Sequence, residues 1–71
     1  MEVKSEIDAN VWKIEVAEGA QVEADDVLMI LESMKMEVPV TAPSAGRVRS
    51  IVVAEGASVL EDDVLVVMDP A

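Results

Sequence analysis

The chemistry open to this chain narrows to a single lysine. There is no histidine and no cysteine, which removes the commonest general base, the thiol nucleophile, the disulfide and the usual zinc ligands. Ser5, Ser33, Ser44, Ser50 and Ser58 have no base near them in sequence, and no glycine-rich phosphate loop is present. Fifteen acids in 71 residues form carboxylate pairs by chance alone. The pairs Asp25-Asp26 and Asp62-Asp63 read as turns and not as a metal site, because no other ligand type accompanies them. A chain this short also lacks the volume for a typical ligand pocket. It reads as a protein without catalytic residues of its own, not an enzyme.

Lys35 stands apart, in the run Glu32-Ser33-Met34-Lys35-Met36-Glu37. Apolar segments on either side, 27–32 and 36–41, read as strands, so the residues between them must reverse the chain. A two-residue hairpin loop needs positive φ and usually takes Asn, Asp or Gly. None is available here. A turn built from Met and Lys runs against local propensity, and such violations are expected mainly at functional sites.

The elements that must position Lys35 follow from an internal repeat. Shifting the sequence by 37 places lays residues 11–32 on residues 48–69, and 12 of the 22 positions are identical, among them Val11/Val48, Gly19/Gly56, Val22/Val59, Asp26/Asp63 and Leu28/Leu65. Two like halves therefore build one domain over residues 1–71. Short Val/Ile/Leu runs separated by turn residues predict strands near 2–7, 11–17, 27–32, 36–41, 47–53 and 64–69, with bridging pieces around Val22 and Val59. Gly19 and Gly56 suit tight turns with positive φ. No sustained helical period is present. The expected fold is all-β: a flattened barrel or sandwich of two four-stranded halves related by an approximate two-fold axis. On that axis the Lys35 turn is equivalent to the gap between the termini, so Lys35 should project from the end opposite Met1 and Ala71.

Charge and hydropathy bound the partners. The net charge is -10, with only Lys4, Lys13, Lys35, Arg47 and Arg49 positive. Such a chain repels phosphate backbones and anionic membranes, which argues against both as partners, and favours basic protein surfaces. The apolar runs Val27–Leu31 and Val64–Met68 have five residues each, far short of the ~20 that span a membrane. The acidic amino terminus is no signal peptide, so a cytoplasmic location is expected. A monomer is the default, with Trp12, the sole aromatic residue, a contact candidate if exposed.

The Glu32–Glu37 run, followed by Val40-Thr41-Ala42-Pro43 and Gly46, resembles the biotin-attachment domain of biotin-dependent carboxylases, and in particular the small biotin carboxyl carrier proteins. The likeness extends from about Val3 to Met68, and the family's repeated glycine-turn elements match Gly19 to Leu28 and Gly56 to Leu65. Related lipoyl domains present a lysine on the same barrel-sandwich fold, typically in an Asp-Lys-Ala setting. The resemblance implies that biotin is joined to Lys35 through an amide by a biotin protein ligase. It implies a carrier that moves carboxyl groups from a biotin carboxylase to a carboxyltransferase acting on an acyl-CoA, such as acetyl- or propionyl-CoA, or on a keto acid. An acetyl-CoA carboxylase of fatty acid biosynthesis is one such setting. Met34 and Met36 are then expected to serve ligase recognition and to set the hairpin, and Glu32 to help the ligase tell this site from a lipoyl site. The halves align without a gap, so the protruding thumb of some bacterial carriers is absent. The alternative is a lipoyl carrier of a 2-oxo acid dehydrogenase or the glycine cleavage system.

Overall fold

The computed structural model describes residues 1–71. It contains eight strands: β1 (Glu2–Lys4), β2 (Ala9–Ile14), β3 (Gln21–Val22), β4 (Val27–Ser33), β5 (Met36–Thr41), β6 (Gly46–Ile51), β7 (Ser58–Val59) and β8 (Val64–Pro70). They form two four-stranded antiparallel sheets, ordered β1-β8-β6-β3 and β5-β4-β2-β7. The flattened all-β sandwich expected from the repeat is the architecture observed.

The two halves correspond ladder by ladder. Between β2 and β4, Asn10 lies opposite Glu32, Val11 opposite Leu31, Lys13 opposite Ile30 and Ile14 opposite Met29. Between β6 and β8 the same places hold Arg47 and Asp69, Val48 and Met68, Ser50 and Val67, and Ile51 and Val66. Each ladder has one irregularity, at Trp12 and at Arg49. The halves also interlock. β7 pairs with β2, and β3 with β6. The Gly19 N–H donates to the Val48 carbonyl and the Gly56 N–H to the Val11 carbonyl, both at 2.7 Å. Neither half can close its sheets without the other.

The repeat writes the core twice. Val11 and Val48, Val22 and Val59, Leu28 and Leu65, Met29 and Val66, and Leu31 and Met68 are all buried, together with Val3 and Ala42. Leu28 and Met29 both face inward although they are adjacent, because the β4–β5 register shifts between Val27 and Met29. A bulge of this kind re-aims one side chain.

Three strands end earlier than the sequence predicts. β1 stops at Lys4 and not at residue 7. Ser5 is buried and tied to the turn at 62–63: its N–H donates to the Asp63 carbonyl at 2.9 Å and its carbonyl accepts from the Asp62 N–H at 2.7 Å. Its hydroxyl donates to the Ile7 carbonyl at 2.6 Å, which bends the next residues away. β2 ends at Ile14 and β6 at Ile51; a glutamate carboxylate takes each isoleucine's N–H, while the Glu15 N–H still donates to the Leu28 carbonyl and the Val52 N–H to the Leu65 carbonyl.

The molecule measures 34 × 18 × 17 Å. At one end the Met1 ammonium donates to the Met68 carbonyl at 2.8 Å and the Ala71 N–H to the Ala45 carbonyl at 3.4 Å. At the other the Ser33 hydroxyl, beside the Lys35 turn, donates to the Asp8 carbonyl at 3.2 Å. Lys35 thus sits opposite the termini.

Candidate functional site

The Lys35 turn is a two-residue hairpin loop. Ser33 pairs with Met36, and Met34 and Lys35 lie between them with φ of 51° and 65°. Positive φ at both loop positions is the pattern that follows the right-handed twist of the flanking strands. In residues bearing a Cβ it costs about 1–2 kcal/mol at each position. The β4–β5 ladder, paired from Val27 and Thr41 up to Ser33 and Met36, imposes the conformation that the local sequence disfavours.

The lysine is exposed, and so are its neighbours: Met34 is 92% and Met36 67% accessible. Neither methionine covers the core. Their thioether chains stand in solvent on either side of the amine, which suits an apolar recognition surface better than a structural plug. Lys35 belongs to neither ion pair of the molecule, these being Lys13–Glu15 at 3.9 Å and Arg49–Asp69 at 3.8 Å. Its amine is a primary amine at the end of a flexible chain, free of any carboxylate. Such a group fits a covalently attached carboxylic acid: the amide needs no pocket, only an accessible nitrogen.

Glu32 lies directly opposite Glu37 at the base of the hairpin, and both are exposed. Like charges so placed destabilise a sheet modestly, and no cation of this chain offsets them. Sequence reasoning missed the surroundings on the other side of the turn. Asp8, Asn10, Ser58 and Leu60 form a shallow groove with Glu32, Ser33 and Met34. These residues are distant in sequence, and only the pairing of β7 with β2 brings them beside the hairpin. Asp25-Asp26 and Asp62-Asp63 are turn devices. Asp25 and Asp62 take φ of 71° and 73°. Asp26 and Asp63 accept from the N–H of Glu23 and of Leu60, at 2.9 and 2.8 Å.

A family model described as "Biotin-requiring enzyme", of the biotin/lipoyl type, matches residues 2–68. The chain belongs to the biotin/lipoyl attachment family. Biotin is the cofactor of that family as described.

Individual relatives agree. The biotinylated protein TB7.3 homolog of Mycobacterium leprae is 50% identical over 50 residues, 70% of each chain. The putative urea carboxylase of Emericella nidulans is 49% identical over 43 residues, 61% of this chain and 4% of that protein. Among solved structures, a single-chain, multi-domain long-chain acyl-CoA carboxylase superposes on all of this chain with a TM-score of 0.95 and 30% identity. The match takes up 7% of that protein's length. The lipoyl domain of the 2-oxoglutarate dehydrogenase complex from Azotobacter vinelandii superposes with a TM-score of 0.76 and 27% identity, over 87% of this chain and 78% of that one.

Proposed function

We propose that this chain is a biotin carboxyl carrier whose Lys35 Nζ holds biotin through an amide. The observation that carries this reading is the exposed, unpaired Lys35 on a strained two-residue turn at one end of the molecule. When bound, the cofactor supplies a ring nitrogen able to accept and release a carboxyl group. The chain's own part is mechanical. The β4–β5 hairpin holds the amine clear of the body, and the sandwich keeps the hairpin from folding back. A tethered group is presented at a high local concentration to any site the domain visits. Forming the amide also removes the Lys35 charge, which takes the net charge from -10 to -11.

Met34 and Met36 present the apolar flanks that a biotin protein ligase grips, and Glu32 contributes a charge contact at the hairpin base. The partners are that ligase, a biotin carboxylase and a carboxyltransferase. The acceptor is an acyl-CoA or a keto acid; the likeness to a long-chain acyl-CoA carboxylase supports the first, and the urea carboxylase relative supports carboxyl transfer in general. The domain itself contributes no catalytic group. It acts as a monomer in the cytoplasm, where ligation can draw on ATP.

The test is intact mass and peptide mapping after incubation with biotin, ATP and a purified biotin protein ligase. One biotin on Lys35 is expected. If Lys35 takes lipoate from a lipoyl ligase and refuses biotin, the lipoyl alternative replaces this reading; the fold is compatible with both.

A further inference from the structure

The repeat allows each surface position to be compared with its twin, and the two outer faces differ. On the sheet nearer the termini, Arg49 bulges from β6 and its guanidinium stands 3.8 Å from the Asp69 carboxylate. The twin positions on the sheet that carries Lys35 hold Trp12 and Glu32. Trp12 occupies the β2 bulge and is 50% exposed, and Glu32 is left without a cation. The next row repeats the contrast. Val67 lies between Ser50 and Glu2 on one sheet, whereas Ile30 lies between Lys13 and Pro39 on the other, so the β5 side of the row is the apolar one. Ile30 lies between buried Met29 and Leu31 yet is itself only partly buried and takes no part in the core, so it faces outward. The Lys35 sheet keeps the Lys13–Glu15 ion pair, but where its twin has Arg49 and Asp69 it shows a half-exposed tryptophan and, with Glu37, two uncompensated carboxylates.

The charges and the position decide what covers this face. A second copy of the chain would bring net charge -10 and the same Glu32–Glu37 pair against itself. Enzymes that act on the group carried by Lys35 work at the far end of a long arm and need not touch the sheet. The enzyme that forms the amide must bring its own site to Nζ, so the hairpin lies inside its footprint. A standard interface covers about 800 Å² per partner, a patch roughly 30 Å across. Five residues of strand from Lys35 to Ile30 span about 17 Å. Trp12, Ile30 and Pro39 thus fall within reach of an interface that contains Lys35.

We propose that Trp12, backed by Ile30 and Pro39, is the anchor through which the ligase that acylates Lys35 docks on the outer face of this sheet. A lysine or arginine of that ligase lies opposite Glu32 and Glu37. The proposal rests on the reading of Lys35 as the biotin site. Tryptophan is one of the residues enriched at interface hot spots, together with tyrosine and arginine.

The test uses the whole domain and a purified biotin protein ligase with biotin and ATP. Trp12→Ala, and Trp12→Arg, which copies the twin position, should each raise the ligase KM for the domain about tenfold or more and leave kcat and the unfolding temperature nearly unchanged. Arg49→Ala on the opposite sheet should leave KM unchanged. Because Trp12 is the only tryptophan, 5-fluorotryptophan labelling places one 19F signal there. That signal should shift and broaden when unlabelled ligase is added to the Lys35→Arg domain, which cannot turn over. Wild-type KM in both Trp12 variants, or a 19F signal unmoved at saturating ligase, overturns the proposal while Lys35 labelling of the wild type stands. Failure of the wild type to be labelled overturns the biotin reading and this proposal with it.

Discussion

Glu18 and Glu55 each complete the other half of the molecule. The Glu55 carboxylate accepts from the Ile14 N–H at 2.9 Å, and the Glu18 carboxylate accepts from the Ile51 N–H at 3.0 Å. Each glutamate precedes the glycine of its own turn and reaches across to satisfy a backbone N–H at the end of a strand of the opposite half. The interlock therefore depends on side chains as well as on the backbone bonds from Gly19 and Gly56.

Glu18→Ala and Glu55→Ala should destabilise the domain by similar amounts, about 0.5–1.5 kcal/mol each. The likeness of the two effects follows from the matched geometry. Urea unfolding monitored by Trp12 fluorescence measures both. A large effect at one site and none at the other would show that the two halves are not energetic equivalents.

The Lys35 turn should be less stable than a turn with ordinary loop residues. Met34 and Lys35 both hold positive φ, so Met34→Asn with Lys35→Gly should stabilise the fold by about 1–3 kcal/mol. In a domain of this size that raises the unfolding temperature by at least ~4 °C. The same variant should lose all biotin labelling. Differential scanning calorimetry and an avidin blot check the two halves of this prediction.

Lys35→Arg should unfold at the wild-type temperature within about 0.5 kcal/mol of stability, since an exposed residue without an ion pair contributes little. Labelling by biotin ligase should vanish, because a guanidinium does not form the amide. A fall in stability comparable to a core substitution would place Lys35 in the structure and not at a modification site.

Gly46 should resist any side chain. A Cβ there would fall on the Asp69 carbonyl oxygen and close to Met68. Gly46→Ala should cost about 2 kcal/mol or more, by parting β6 from β8. Chemical denaturation, with hydrogen exchange at the β6–β8 amides, would detect it.

Replacing one member of the Glu32–Glu37 pair should help the fold. Glu37→Gln removes a like charge directly across the strand and is expected to add about 0.2–1 kcal/mol, more at low salt than at high salt. Thermal unfolding at two ionic strengths separates this from a packing effect, which salt would leave alone.

Much of the fold was legible because a repeat and a period are local. Val11, Val22, Leu28 and their twins announce inward positions by spacing alone, and Asp25 and Asp62 announce turns by residue type. The strand ends were not legible. β2 stops at Ile14, where its N–H meets a carboxylate 41 residues away, and β1 stops early because Ser5 bonds to a turn 58 residues on. At the site, Met34 and Lys35 stand out by their misfit in a hairpin loop, whereas Asp8, Ser58 and Leu60 carry no local sign of being neighbours.

The sequence by itself determined the two-half plan, the inward residues and the lysine that reverses the chain, since each follows from short-range chemistry repeated along the chain. Only the tertiary structure decided which sheet holds that lysine and what lies beside it. The β4–β5 ladder holds Met34 and Lys35 in left-handed backbone, and the long-range pairings of β7 with β2 and of β3 with β6 close the sheets. They also set Trp12 on the outer face beside a carboxylate whose twin is paired with arginine. Strand pairing is a choice among distant partners, made by the whole packed core, so no single segment records it.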